Sequence, residues 1–199
     1  MKINNLDESV TYRDEHGRKH NFDWYNSWNA MHSRTEEVYQ SKFPTYIGCT
    51  VCEEWNLLSN YKKFYEDNYS TGYVLDKDLL VFGNKVYSPD TCVFVPEYVN
   101  AVISLKHNNT LMKGVYFVSN KNIYHSRGYL NGKRISLGYY KTELEAHQAW
   151  QKHKIMSIHN VIEKYKCEEK PLESVITALQ LRINMIQSNL DNNTSTDRI

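Results

Sequence analysis

The fold is decided by residues 124–140, which read YHSRGYLNGKRISLGYY. Asn131-Gly132 at the centre of this stretch predicts a two-residue hairpin, because both residues accept positive φ. The residues on either side predict two strands, at about 123–130 and 133–139, and a third strand precedes them at about 114–118. We therefore expect a three-stranded antiparallel sheet.

Two helices are expected after the sheet. Thr142 and Glu145 form a capping-box pattern that begins the first, which continues to about residue 166. Pro171 restarts the second, within 167–187, and apolar residues follow helical spacing in both. These stripes predict either a helical hairpin within one chain or a homodimer through the C-terminal helices. Residues 188–199 are polar, and we expect a disordered tail there.

The strands of this sheet have two chemically different faces. His125, Arg127 and Tyr129 share one face of the second strand, because side chains alternate between faces. Arg134 and Ser136 extend this polar, basic and aromatic character onto the third strand. The opposite face is expected to pack on the helix. An ordinary solvated face or a protein-binding face would show the same alternation, so these alternatives stay open.

Residues 114–150 resemble the DNA-binding domain of ethylene-responsive transcription factors. The resemblance rests on an opening Gly114-Val115, on Asn131-Gly132-Lys133 at the hairpin, on Leu137-Gly138 before an aromatic pair, and on the alanine-containing helix TELEAHQAW at 142–150. It implies a sheet that enters the major groove of double-stranded DNA. The implied DNA-binding residues are Lys121, His125, Arg127, Tyr129, Lys133, Arg134 and Ser136, with the two lysines on phosphates.

The N-terminal half predicts a mixture of helices and short strands. Helical spacing runs through about 22–38 and 56–69, and β-rich runs occupy 73–81 and 91–95. Pro96 then opens a short helix. We expect a flexible arm over 1–21, a first domain over 22–104, a linker over 105–113 and a second domain over 114–166. The fold class is thus α+β.

A second resemblance covers about 24–103 and points to phage HNH endonucleases. It is carried by WxxMxxR at 28–34, by LDKD at 75–78, by GNKxYSPxTC at 83–92, and by Asn100. The implied fold is a β-β-α clasp around one divalent metal, Mg²⁺ or Mn²⁺, with Asp76 and Asn100 as ligands.

The chain departs from the HNH pattern at two places. Lys77 stands where the general-base histidine is expected, and Thr91 stands where the central asparagine is expected. Lysine is a poor base near neutral pH unless its pKa falls well below about 10.4. Asp78, or a histidine such as His32 or His107, would have to take over the catalytic role.

Composition limits the possible functions. The 199 residues carry 24 Lys and Arg against 23 Asp and Glu, so the net charge of +1 does not indicate a nucleic-acid binder by itself. Only Cys49 and Cys52 of the four cysteines have ligand-like spacing, and without a second pair we expect no zinc. No long apolar run is present, so we expect no membrane partner and a cytoplasmic location, in bacterial or phage-infected cells.

Three functions remain open at this point. The first is a site-specific, metal-dependent DNA endonuclease or nickase of phage or mobile-element origin. The second is a catalytically inactive DNA-binding regulator, such as a repressor, on the same scaffold. The third is a protein-binding adaptor that uses the paired C-terminal helices.

Overall fold

A computed structural model describes residues 1–104, 111–130 and 132–197. The chain divides into two compact units, Met1–Glu97 and Tyr98–Ile199. Residues 105–110 of the expected linker 105–113, among them His107, and the hairpin residue Asn131 lie outside the described residues. The mixture of helices with small sheets, one of them three-stranded and antiparallel, confirms the α+β class.

The first unit consists of short elements. They are β1 (Thr11–Arg13), β2 (Lys19–Asn21), α1 (Asp23–Ser33), α2 (Glu37–Lys42), β3 (Thr50–Val51), α3 (Leu58–Asn68), β4 (Tyr73–Asp76), β5 (Val86–Tyr87) and β6 (Val93–Pro96). Its core is aromatic: Trp28, Trp55 and Tyr61 are buried where α1 packs on α3. Trp28 Nε1 donates to the Trp55 carbonyl at 2.7 Å, which supplies the polar partner that a buried indole requires.

Strands β3 to β6 of the first unit pair in two separate ribbons. β4 lies antiparallel to β6, with Asp76 opposite Val93, and β3 lies parallel to β5. The predicted strand over 73–81 ends early, at Asp76, because the Asp76 side chain turns the chain there. β3 and β5 have two residues each, too few for a period of two to be visible in the sequence.

The N-terminal residues are ordered, in contrast to the flexible arm that we expected. β1 and β2 form an antiparallel hairpin with Tyr12 opposite His20. Asp14 closes its turn by accepting hydrogen bonds from the backbone N–H groups of His16 and Arg18, at 2.9 and 2.8 Å. These contacts supply the local order that hydrophobic periodicity did not reveal.

The second unit holds the predicted sheet. Its elements are α4 (Glu97–Ile103, of which Glu97 belongs to the first unit), β7 (Val115–Val118), β8 (Ile123–Leu130), β9 (Lys133–Tyr140), α5 (Glu143–Tyr165) and α6 (Glu173–Asp191). The strand order is β7-β8-β9, antiparallel throughout, and α5 packs on one face. The expected capping box is present, with Glu145 N donating to Thr142 Oγ1 at 3.2 Å.

The helix α4 is held by the second unit, although we expected the domain boundary after it. The Tyr98 hydroxyl donates to Glu168 at 2.7 Å, and the Lys164 ammonium lies 3.8 Å from the centre of the Tyr98 ring. Lys154 donates to the Val102 carbonyl at the end of α4. Asn100, on this helix, therefore belongs to a different unit from Asp76.

The last two helices form a hairpin within one chain. Ile158, Ile162 and Tyr165 of α5 are buried, as are Leu179 and Ile183 of α6. This packing already occupies the apolar stripes of both helices within one chain. A homodimer through the same stripes stays a prediction. None of the described helices combines the length and the apolar character needed to cross a membrane.

The C-terminal residues pack on α5, where we expected disorder from residue 188 onward. α6 continues to Asp191. Thr196 is buried, and its backbone N–H donates to His147 Nε2 at 2.9 Å. Its hydroxyl accepts from Gln151 Nε2 at 3.0 Å. Polar composition alone misled the prediction here, because the backbone and hydroxyl of Thr196 bond to the buried side chains of His147 and Gln151.

Candidate nucleic-acid interface

The two faces of the β7-β8-β9 sheet differ in what covers them. The inner face packs on α5 through Val115 and Gly128. The outer face carries seven polar or aromatic side chains: Tyr116, His125, Arg127, Tyr129, Arg134, Ser136 and Tyr139. Four of the seven, Tyr129, Arg134, Ser136 and Tyr139, are exposed, so much of the outer face is accessible to a ligand.

A β-bulge brings two of these side chains onto the same face. Ser136 pairs with Arg127, whereas Gly138 pairs with Ser126, so Leu137 is the extra residue of β9. Residues three apart on a regular strand point to opposite faces. Because of the bulge, both Ser136 and Tyr139 lie beside His125 on the outer face. Alternation alone therefore did not assign Tyr139 to this surface.

His125 lies at the centre of the outer face and holds its neighbours. Its Nε2 and the Ser136 hydroxyl are 2.8 Å apart, and its ring stacks on Tyr139 with centroids 4.3 Å apart at 15°. Its Nδ1 accepts from Arg127 Nε at 3.0 Å, which requires the neutral tautomer protonated on Nε2. Burial, and then the charge of Arg127, lower the pKa of His125 and favour this neutral form.

Arg127 is fixed on both sides by this arrangement. Its guanidinium lies 4.3 Å from the centre of the Tyr116 ring, and its Nε donates to His125. Cation–π contact and the Nε bond leave the two terminal amino groups free to form a bidentate pair with a planar acceptor. His125 itself is only 8% exposed. Its direct contact with DNA stays a prediction, and within the sheet it orients Arg127 through the Nε bond.

The other predicted DNA-binding residues lie at the rim. Arg134 pairs with Tyr129 across β8 and β9, and its hydrogen bond to the Tyr129 phenol is the main cause that raises the pKa of Arg134. Lys133 begins β9 at the hairpin, and Lys121 ends the 3₁₀ turn Ser119–Lys121 between β7 and β8. The two lysines therefore lie at opposite ends of β8, both exposed.

Charge is concentrated in this part of the chain, although the whole chain is nearly neutral. From Lys113 to Lys141 the sequence contains six Lys and Arg residues and no Asp or Glu. All 23 acidic residues lie elsewhere. The net charge of the whole chain conceals this local excess of positive charge. A count of charged residues confined to 113–141 reveals it.

The inner face requires glycine at two positions. A Cβ on Gly114, where φ is +75°, would lie 2.1 Å from the Trp150 ring. A Cβ on Gly128 would lie 2.4 Å from the His153 ring. His153 Nε2 is 3.0 Å from the Tyr129 carbonyl. These close approaches fix α5 against β7 and β8, and thereby fix the outer face that β8 carries.

The residues of the HNH resemblance form a structured turn after β4. Asp76 Oδ1 accepts from the N–H groups of Asp78 and Leu79, at 2.9 and 2.7 Å. Burial, and then the charge of Asp78, raise the pKa of Asp76. The Lys77 ammonium donates to Asp78 at 2.9 Å and to the Asn84 carbonyl at 3.1 Å. These two bonds hold the Lys77 side chain against the turn.

The remaining residues named for catalysis have structural partners. Thr91 Oγ1 donates to the Val86 carbonyl at 2.8 Å, which ties the loop before β6 to β5. His32 is buried beside the Trp55 carbonyl, and burial lowers its pKa. Asn84 was quoted only as a turn residue, yet its amide donates to the carbonyls of Lys77 and Val86, at 2.6 and 2.7 Å.

Binding of a metal ion requires several ligand side chains to lie close together. Across residues 1–104, 111–130 and 132–197, no group of three or more His, Cys, Asp or Glu side chains is placed to hold a metal ion. Asp76 and Asn100 belong to separate units, so their joint coordination stays a prediction. All four cysteines are free thiols, with Cys49 and Cys92 buried.

Comparison of the chain with protein-family models, with curated proteins and with solved structures gave no match.

Proposed function

We propose that this protein binds double-stranded DNA in a sequence-dependent manner through the outer face of its β7-β8-β9 sheet. The observation that carries the proposal is the preorganised Arg127, held by His125 and Tyr116 on a sheet without acidic residues. Side chains that are already fixed lose little conformational entropy when they bind.

The chemistry of the outer face fits that of the major groove. A fixed guanidinium with two terminal amino groups matches the O6 and N7 acceptors of guanine. Arg134 and the serine hydroxyl of Ser136 are exposed beside it. Lys121 and Lys133, at the ends of β8, supply positive charge for phosphates.

The dimensions are also compatible. Neighbouring strands lie about 4.8 Å apart, so the axes of β7 and β9 are separated by about 10 Å. The major groove of B-DNA is about 12 Å wide and admits β-structures as well as helices. The resemblance of residues 114–150 to the ethylene-responsive-factor type of domain supports the same mode of docking.

A metal-dependent nuclease is the second candidate. It is favoured by the buried Asp76 carboxyl, which interacts with the charge of Asp78, since paired carboxylates are suited to divalent cations. The ion pair between Lys77 and Asp78 weighs against a nuclease. It neutralises the Asp78 carboxylate, and it engages Lys77, the residue at the base position. The geometry therefore favours a DNA-binding protein that regulates the access of other proteins to its DNA site.

The decisive experiment is a salt titration of DNA binding by the full chain. A duplex is first selected from a random pool, and its affinity is then measured by fluorescence anisotropy at several salt concentrations. Phosphate contacts release counterions, so log K should fall linearly with log salt at about 0.9 per phosphate neutralised. Affinity that does not respond to salt would contradict the proposal.

A further inference from the structure

Arg34, immediately after α1 in the first unit, lies among three tyrosines. Its Nη1 donates to the Tyr87 hydroxyl at 3.5 Å, and the Tyr39 ring packs edge-on against Tyr46 with centroids 5.5 Å apart. Its guanidinium carbon is 5.5 Å from the centre of the Tyr46 ring. The three phenols come from β5, from α2 and from the 3₁₀ turn Pro44–Tyr46. The local fold thus brings them around one cation.

The charge of Arg34 has no acidic counterpart. Within the part of the chain that the structure describes, its guanidinium forms no ion pair with a carboxylate. Burial raises the pKa of Tyr87, so this phenol stays neutral beside the guanidinium. A partly buried cation surrounded by neutral phenols retains a desolvation cost that an anion would offset.

The surroundings of Arg34 also provide donors and access. Tyr87 is 1% exposed and lies at the base, whereas Arg34, Tyr39 and Tyr46 are each partly exposed and reach the surface. A second cation lies close by, because Lys85 Nζ donates to the Thr45 carbonyl at 2.7 Å, next to Tyr46.

The loop that carries these phenols is held in place by Gln40. Its amide nitrogen donates to the carbonyls of Arg34 and Cys49, both at 3.3 Å, and its amide oxygen accepts from Gly48 N at 3.3 Å. These bonds join the end of α1 to the segment that follows the 3₁₀ turn. The position of Arg34 relative to Tyr46 is therefore fixed before any ligand arrives.

We propose that Arg34, with the hydroxyls of Tyr39 and Tyr87, forms a binding site for a phosphate group. A guanidinium matches phosphate through two parallel N–H bonds, and phenolic hydroxyls donate to its remaining oxygens. The proposal is independent of the sheet in the second unit. The phosphate comes either from a nucleic-acid backbone or from free inorganic phosphate, and the chemistry of recognition is the same for both.

The first test uses inorganic phosphate as the probe, added at constant ionic strength to the full chain and followed by ¹H–¹⁵N NMR. We expect saturable shifts at Arg34 Nε–H and at the Gly48 amide. Arg34→Gln should weaken phosphate binding about tenfold or more, since it removes a charged hydrogen-bond donor. Arg18→Gln, in the exposed turn between β1 and β2, removes the same charge and should leave the titration unchanged.

A non-saturable response in the wild type, or an equal response in Arg34→Gln, would overturn the proposal. Because Arg34→Gln also removes contacts with tyrosines, Tyr39→Phe serves as a milder variant. It deletes one hydroxyl of a partly exposed side chain and should weaken phosphate binding by a smaller factor than Arg34→Gln. Unchanged affinity in a folded Tyr39→Phe protein would remove Tyr39 from the site.

A second experiment, duplex binding measured at several salt concentrations, identifies the source of the phosphate. If a nucleic-acid backbone supplies it, Arg34→Gln should reduce the salt slope of duplex binding by about 0.9, and Arg18→Gln should not. If the slope is unchanged while the phosphate titration persists, the ligand is free phosphate. The phosphate titration does not require DNA binding, so failure of the proposed DNA-binding function would leave this site separately testable.

Discussion

His125 Nδ1 accepts a hydrogen bond from Arg127 Nε at 3.0 Å, and this bond orients the guanidinium on the outer face of the sheet. The bond exists only while His125 is neutral, since a protonated ring has no acceptor. Protonation would also place two positive charges beside each other. The geometry of the proposed DNA contact is therefore linked to the protonation of His125, which is itself only 8% exposed.

This linkage predicts a pH dependence of specificity. Burial and Arg127 lower the pKa of His125 in the folded protein below its ordinary value near 6.5. As the pH falls below 6.5 towards the folded-state pKa, the unfolded chain binds more protons, so this histidine favours unfolding increasingly. Below the folded pKa the Arg127 bond is lost. We expect the ratio of specific to non-specific DNA affinity to fall as the pH is lowered from 6.5 through the folded-state pKa of His125.

His125→Asn is the matched variant for this test. Its side-chain oxygen can accept from Arg127 Nε near the position of Nδ1, but it does not titrate in this range. Its affinity ratio, measured by anisotropy with selected and scrambled duplexes, should change less with pH than the wild-type ratio. An identical pH profile for the two proteins would remove His125 from the mechanism.

Two glycines with the same backbone conformation should respond differently to alanine. Gly114 has φ +75° and Gly132 has φ +73°, but only at Gly114 would a Cβ meet another group, the buried Trp150. Gly132→Ala should cost about 1 kcal/mol of unfolding free energy, from the left-handed conformation alone. Gly114→Ala should cost about 1 to 3 kcal/mol more, because of overpacking. Urea unfolding followed by tryptophan fluorescence measures both, and equal losses would contradict this account of α5 packing.

The C-terminal residues should contribute to stability. Thr196 Oγ1 accepts from Gln151 Nε2 and from Asn189 Nδ2, at 3.0 and 3.1 Å, inside the second unit. Thr196→Val keeps the shape but removes the acceptor of Asn189 Nδ2 and one of the two acceptors of Gln151 Nε2, which keeps the Thr194 carbonyl at 3.0 Å. We therefore expect a loss of about 1 to 3 kcal/mol. Ser195→Ala, at the neighbouring and less buried position, is the control and should change little. Equal stability of the two variants in chemical denaturation would show that this segment is not fastened to α5.

The nuclease candidate is tested at the turn after β4. Asp76→Asn preserves the side-chain oxygen that accepts from Asp78 N and Leu79 N, so it should remain folded. In a metal-dependent nuclease it should abolish plasmid cleavage with Mg²⁺ or Mn²⁺ and leave DNA binding nearly intact. Lys77→His restores the expected base and should raise cleavage. If neither the wild type nor Lys77→His nicks a plasmid with either metal, the binding protein is the better description.

The sequence predicted the sheet and the start of α5 in the second unit, because their signals are local. Asn131-Gly132 predicted the hairpin, and Thr142 with Glu145 predicted the start of α5, whose capping box is present. These features depend on the φ angles and hydrogen bonds of a few adjacent residues, so periodicity and turn chemistry suffice to find them.

Other features depend on contacts between distant positions, which a single sequence does not reveal. The bulge at Leu137, which brings Tyr139 beside His125, comes from the pairing of β9 with β8. The burial of Thr196 depends on His147, 49 positions earlier. Likewise, the role of His125 as a positioning residue appears only when its two ring nitrogens are seen to have partners.

The central claim is that the outer sheet face binds DNA, and the double variant Arg127→Gln/Arg134→Gln tests it most directly. Its control is Arg13→Gln/Arg18→Gln, which removes two exposed arginines from the β1–β2 hairpin of the first unit and changes the net charge equally. Anisotropy with the selected duplex should show at least about tenfold weaker binding for the sheet variant, with loss of preference over a scrambled duplex. The control should bind like the wild type. Full affinity in the sheet variant, or an equal loss in the control, would contradict the claim.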